Sequence, residues 1–392
     1  MLLIFHLFRS KIIARAILWL IICEKIVIKS WFCGFYTLLH VQLITDRAVI
    51  YGAFIMDKMC CSSCDLMFVF RESGYLFLHG MDDLESMYPE VIKANGELYL
   101  PYRSKEEVME QVQIILSKLD RYDHIEGNLV QAICRPSIMY SLHQLLQNIK
   151  EHDMIQIIRQ TEFISFFQPI VSLHSNEIIA FEALLRDPLA RVSPGRLFEA
   201  AQATGLHYLL DMKARQTAIQ SRMGVIPHGI KSFINFLPST IYDPAFSVKS
   251  IIQHIERHHV RPEDIVFEVV ETEEIVDIDH LKTIFSVYKQ EGIKVALDDF
   301  GSGHSTLEVL VQLVPDYVKI DRAHIMNCDQ DVTKQKELIE LVNISKELGV
   351  TSLAEGVERK EELEFCRAIG IELAQGYYLG KPAKKPKLLA SV

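Results

Sequence analysis

From about position 165 onward, short apolar runs alternate with stretches whose apolar residues recur every three or four positions. The runs at 166–173, 178–186, 233–237, 265–271, 295–300, 317–321, 352–357 and 374–379 predict β-strands. The stretches 197–203, 212–223, 281–291, 334–348 and 361–369 predict amphipathic helices between them. Such alternation predicts an α/β chain with a mainly parallel sheet, and eight strands predict closure into a TIM-like (β/α)8 barrel. Only the polar positions 174–177 join the first two strands, too few for a parallel crossover, so this pair is predicted antiparallel.

Upstream the pattern differs. Positions 56–125 read as a small α/β module, with strands at 66–70 and 75–79 around Glu72-Ser73-Gly74 and a third at 97–102. Ser104 and Glu107 have the spacing of a helix capping box, and Val108, Val112, Ile115 and Leu119 follow on one helical face. Positions 126–160 read as a helical connector, with Pro136 at a helix start. The barrel is expected over 161–385, with a tail at 386–392; the basic stretch 381–387 reads as a solvated end.

Composition narrows the class. At 392 residues the chain can hold a barrel of ~250 residues and a smaller module. A hydrophobic content of 49% excludes global disorder. The formal net charge of −10 argues against a binder of DNA or RNA duplexes, yet leaves room for a phosphate substrate where divalent metals reverse the local field. Eight scattered cysteines are too sparse for a disulfide scaffold, so the chain reads as cytoplasmic with reduced thiols. Cys60, Cys61 and Cys64 lack a second ligand pair and read as incidental thiols. Positions 1–55 are apolar but broken by charges, and the run from Ala16 to Cys23 is too short to span a bilayer. Three readings stay open for this segment: a weak membrane anchor, a core element, or sequence upstream of a start at Met56 or Met59. The last is favoured because composition changes at Met56.

The polar residues carry the chemistry. Strand after strand ends in an acid, an amide or a lysine: Glu182, Asn235, Glu268 with Glu271, Asp298 with Asp299, Lys319 with Asp321, Glu355 with Glu358, and Gln375. In a barrel these ends converge on one rim, where so many carboxylates repel one another unless cations bind. Oxygen-only donors suit Mg²⁺ or Mn²⁺ rather than zinc, and two such ions suit phosphoryl displacement. A two-carboxylate glycosidase explains some of the acids but neither the lysine nor their excess.

Phe181-Glu182-Ala183-Leu184-Leu185-Arg186 resembles the signature of the EAL-domain phosphodiesterases. The resemblance continues in order through Gln168-Pro169-Ile170, Asn235, Glu268 to Glu271, Asp298-Asp299-Phe300-Gly301, Lys319-Ile320-Asp321, Glu355-Gly356-Val357-Glu358 and Gln375-Gly376-Tyr377. It implies a barrel with one antiparallel strand, two Mg²⁺ or Mn²⁺ ions, and hydrolysis of cyclic di-GMP to linear pGpG. It further implies a metal shell of Glu182, Asn235, Glu268, Asp298, Asp299, Asp321 and Glu355, with Asp299 bridging. Lys319 becomes the water-positioning residue, acting with Glu355, Glu182 and Asp299. Glu271 and Glu358 become supports, and Gln168, Arg186 and Gln375 become substrate contacts or pocket supports. A homodimer is expected. Two departures stand out: His304 replaces the family's tyrosine in the loop after the paired aspartates, and Val270 replaces a threonine between Glu268 and Glu271. An active hydrolase is the preferred reading, because every expected metal and water position is filled. A non-catalytic cyclic di-GMP receptor signalling through 56–160, and a scaffold tethered through 1–55, are the alternatives.

Overall fold

The computed structural model describes residues 39–45, 48–54, 68–81, 84–118, 124–241, 243–269, 278–300 and 307–386. Leu39–Thr45 (β1) and Ala48–Phe54 (β2) pair as an antiparallel hairpin. The remainder of the apolar segment, Met56, Met59, Cys60, Cys61, Cys64, Val270, Glu271 and His304 lie outside the described residues. Among the described residues no helix is long and apolar enough to cross a membrane.

From Phe68 the chain builds an antiparallel sheet from Gly74–His79 (β3), Ile92–Ala94 (β4), Glu97–Tyr102 (β5), Glu126–Val130 (β6) and Tyr140–Ser141 (β7), in the order β4-β5-β3-β6-β7. Period-two alternation sends Leu76, Leu78, Leu98, Leu100 and Leu129 to one face. There they pack against Val108, Val112 and Ile115 of helix Lys105–Lys118 and Leu142, Leu145 and Ile149 of helix Leu142–Lys150. Phe77, Tyr99 and Val130 cluster on the other face. The helical reading of 126–160 therefore needs correcting at its start: Glu126–Val130 is a strand, too short for periodicity to distinguish from a helical turn. Pro136 lies in the irregular stretch after it, and the next helix begins at Leu142, where the Ser141 hydroxyl accepts from Gln144 N. Phe68–Phe70 are not a strand, although Phe68 is buried in the same core.

The barrel strands are Ile164–Ser172 (β8), Ile178–Arg186 (β9), Lys231–Phe236 (β10), Ile265–Val269 (β11), Lys294–Phe300 (β12), Tyr317–Ile320 (β13), Thr351–Ala354 (β14) and Leu373–Ala374 (β15). They close in the order β10-β11-β12-β13-β14-β15-β8-β9. β8 is antiparallel to both neighbours, β9 and β15, and every other pairing is parallel. Apolar side chains fill two layers. Ile170, Ala180, Phe233, Val266, Ala296, Leu353 and Leu373 pack together as an inner layer, while residues such as Phe167, Phe181, Phe267 and Val318 lie between the strands and the surrounding helices.

Several strands end sooner than their apolar runs. β14 stops at Ala354 because Gly356 turns at φ +65°, and β15 stops at Ala374 because the chain bends at Gly376 against the backbone of Val357. β13 stops at Ile320, where Asp321 caps helix Arg322–Ile325. Three further helices, Pro244–Arg257, Leu307–Leu313 and Arg322–Ile325, fall between the predicted ones.

Candidate active site

The inner apolar layer and the polar rim are related by a single step of strand geometry. Side chains two positions apart share a face, and every barrel strand uses that step. Ala180 leads to Glu182, Phe233 to Asn235, Val266 to Glu268, Ala296 to Asp298, Tyr317 to Lys319, Leu353 to Glu355 and Leu373 to Gln375. On antiparallel β8 the step runs backward, from Ile170 to Gln168, which lies opposite Glu182. A closed layer of apolar side chains thus supports a ring of eight polar ones.

At the centre of this ring sits Lys319, 1% exposed. Its Nζ lies 2.8 Å from Glu268 Oε2, 2.9 Å from Asp298 Oδ1, 2.9 Å from Glu355 Oε1 and 4.0 Å from Glu182 Oε1. Burial alone would lower the lysine's pKa, but Asp298, Glu268, Glu355 and Glu182 outweigh it and hold the ammonium well above its ordinary range. Lys319 is therefore a hydrogen-bond donor and a fixed positive charge, not a base. Burial lifts the Glu268 and Glu355 carboxyls well above the usual carboxylate range; Lys319 opposes the shift, and Asp298 and Glu182 add to it.

Glu182 is fixed from both sides, accepting from Asn235 Nδ2 at 3.2 Å and from Gln375 Nε2 at 2.6 Å. The paired aspartates sit in a bulge, since β12 slips against β13 between Leu297 and Phe300. Asp299 takes φ +51° there, and its N–H donates to Asp298 Oδ1 at 2.9 Å. The bulge breaks the in–out alternation and lets two consecutive carboxylates serve one site. One oxygen each from Asp298, Asp299 and Glu355 lies within 4.8 Å of the others.

This donor set fits hard divalent cations. Four carboxylates lie within 4.0 Å of one ammonium, and among the described residues the buried Glu268 Oε1 has no hydrogen-bond partner. A buried carboxyl oxygen left dry and unpaired is costly, and a hard cation bound there would relieve it.

The other sequence-predicted residues have identifiable positions. Gln168 Nε2 donates to Gly380 O at 3.3 Å. Arg186 stands at the end of β9, where its guanidinium donates to Leu185 O and lies 5.7 Å from the centre of the Phe166 ring. Asp321 stands outside the three-oxygen group, with Oδ1 accepting from Ala323 N at 2.7 Å as a helix cap. Glu358 pairs with Arg322 at 2.8 Å, joining the loop after β14 to the short helix after β13. The sequence reading missed Asp211. Buried and paired with Arg215 at 2.8 Å, it accepts from Leu237 N at 3.0 Å and so anchors the chain just past Asn235. An acid and an arginine four apart on a helix is its only sequence signal, one that solvent-facing helices share.

The profile of the family described as EAL domain matches residues 149–382, more than half of the chain. The chain belongs to the EAL-domain family. Its EAL barrel is 34% identical to a standalone EAL protein from Vibrio cholerae O395 solved in a c-di-GMP bound form, with a TM-score of 0.53 over 57% of this chain and 93% of that one. Among curated EAL relatives, the Escherichia coli protein described as probable cyclic di-GMP phosphodiesterase PdeG is 31% identical over 241 residues, covering 59% of this chain and 47% of PdeG. MucR of Pseudomonas aeruginosa, described as a bifunctional diguanylate cyclase/cyclic di-GMP phosphodiesterase, is 29% identical over 249 residues, covering 62% of this chain and 36% of MucR. The chain thus spans less than half the length of these two curated relatives.

Proposed function

We propose that the EAL barrel hydrolyses cyclic di-GMP to linear pGpG with two Mg²⁺ or Mn²⁺ ions held among Glu182, Asn235, Glu268, Asp298, Asp299, Asp321 and Glu355. The observation that carries this reading is the buried Lys319 ammonium inside a ring of carboxylates, beside the Asp298–Asp299–Glu355 oxygen group. The likeness to PdeG, MucR and the Vibrio cholerae protein supports the choice of dinucleotide. When bound, the ions supply Lewis-acid stabilisation of phosphate charge and acidify water.

The protein's own groups do the rest. Lys319 donates a hydrogen bond that fixes the attacking water, and its charge offsets the developing negative charge on phosphorus-bound oxygens. Asn235 and Gln375 hold the Glu182 carboxylate in one orientation. Asp299 would hold a cation together with Asp298 and Glu355, and Asp298, Glu268 and Glu355 keep Lys319 protonated. Arg186 and Gln168 face the substrate, the guanidinium matching a phosphate oxygen pair. In the reaction one P–O bond forms from the water oxygen and one P–O bond to the sugar breaks; the sugar oxygen leaves with a proton. Cytoplasmic location and a homodimeric state remain part of this proposal.

The test is incubation of the purified chain with cyclic di-GMP and Mg²⁺ or Mn²⁺, with products separated by chromatography. The expected result is pGpG, abolished by EDTA and restored by either ion. Binding of cyclic di-GMP without cleavage in both metals would favour the receptor reading, and cleavage that survives chelation would remove the metal from the mechanism.

A further inference from the structure

Helix His207–Ser221 packs against β8, β9 and β10 and carries an ion pair that the proposed chemistry does not use. Asp211 is 2% exposed and Arg215 is 3% exposed, and their side chains meet at 2.8 Å. Core packing does not explain this pair, because apolar side chains of similar volume would fill the same space without desolvating two charges. What apolar side chains cannot do is accept hydrogen bonds. Asp211 Oδ1 accepts from Leu237 N at 3.0 Å. The Thr240 hydroxyl stands between Asp211 Oδ2, at 2.9 Å, and Leu237 O, at 2.7 Å.

These contacts fall where β10 gives way to the short 3-10 turn Pro238–Thr240, two residues past Asn235. Holding Leu237 N fixes where the strand ends. Arg215 extends the support to the back of the strands, with Nη1 3.5 Å from Tyr288 Oη and 3.5 Å from Ser247 Oγ. The Tyr288 ring centre lies 5.7 Å from that of Phe236 and 4.8 Å from that of Phe267. Phe236 follows Asn235 and Phe267 precedes Glu268, so both rings back positions whose neighbours on the other face enter the polar ring. Asn235 Nδ2 is on Glu182 at 3.2 Å, which leaves its carbonyl oxygen as the atom able to meet a cation.

We propose that Asp211 is a positioning residue for the cation site: by holding Leu237 it sets how Asn235 presents its carboxamide to the ions and to Glu182. This inference rests on the two-ion phosphodiesterase reading above.

The test compares two charge-free pairs in the full chain. Asp211→Asn/Arg215→Met keeps an oxygen that can accept from Leu237 N, whereas Asp211→Leu/Arg215→Met keeps none. Binding of Mn²⁺ without substrate is read from the electron paramagnetic resonance signal of the free ion, and circular dichroism checks the fold. The first pair should bind Mn²⁺ within about threefold of the parent protein, and the second about tenfold more weakly than the parent. Equal affinities in the two pairs would overturn the assignment, whether both match the parent or both fall below it, because the acceptor would then make no difference. If the second pair does not fold, Asp211→Ala/Arg215→Met takes its place, with the same expectation and the same refutation. A parent protein that binds Mn²⁺ but leaves cyclic di-GMP intact would end the phosphodiesterase reading, while the Mn²⁺ comparison would still decide the role of Asp211. A parent protein that binds no Mn²⁺ would end both.

Discussion

A lysine buried to 1% exposure is stable only because of what surrounds it. Withdrawing an ammonium from water costs several kcal/mol, and Lys319 recovers this through three carboxylates within 2.9 Å. The dependence is mutual, since without the ammonium the same carboxylates repel one another across a dry site. Lys319→Ala should therefore lower kcat at least about 100-fold while the barrel still forms, because bound divalent ions can replace the lost positive charge. Turnover and circular dichroism in the presence of Mg²⁺ check this. A variant that keeps its rate would remove Lys319 from the chemistry.

Among the elements, two departures from regular strands build the site. The β12 bulge places Asp298 and Asp299 on one side, with Asp299 in a left-handed conformation that non-glycine residues enter at a cost of roughly 1–3 kcal/mol. The short β15 ends where Gly376 meets the loop after β14: a Cβ there would lie 2.1 Å from Val357 O and 2.3 Å from Val357 N. Neither partner is the end of a flexible side chain, so the backbone itself must move. Gly376→Ala should destabilise the protein by about 3 kcal/mol, at the upper end for an added methyl in a packed site. It should also cost activity, because Gln375, the residue before it, holds Glu182. Urea unfolding measures the first effect; an unchanged midpoint would contradict the close approach.

For the whole molecule, charged caps reinforce the junction of the sheet module and the barrel, where Ile158 packs with Phe163, Leu185, Leu197 and Leu210. Lys213 donates to the carbonyls of Ile158, Arg159 and Thr161 at the end of helix His152–Gln160, and Arg196 pairs with Glu151. Asp187, just past β9, accepts from Arg191 Nε, NH2 and backbone N, while Arg191 reaches Thr161. The Arg191 hydrogen bonds, outweighing burial, hold the Asp187 carboxyl down to about 2, against 3.8 unperturbed. A depressed folded-state pKa means that the stabilisation is fully present above about 3.8 and is lost as pH falls through about 2. The stability gap between the parent protein and Arg191→Ala should accordingly be present at pH 5 and close toward pH 2. Denaturant midpoints across that range test it, and a constant gap would separate Arg191 from the titration of Asp187.

The sequence by itself determined the strand–helix alternation, the antiparallel first pair and the identity of the ring residues. All three depend on local periodicity and short connections, as Glu182, Asn235 and Lys319 illustrate. It left the β6 strand unread because five residues carry too little period, and it left Asp211 unread because an i, i+4 ion pair looks the same whether exposed or buried. Only the tertiary structure decided that Gln375 holds Glu182 from 193 positions away in sequence, that Asp321 spends an oxygen on a helix cap, and that Ala383 of the tail pairs with Phe167 of β8. Each of these outcomes is a matter of register and distance between strands remote in the chain, and no local pattern encodes that.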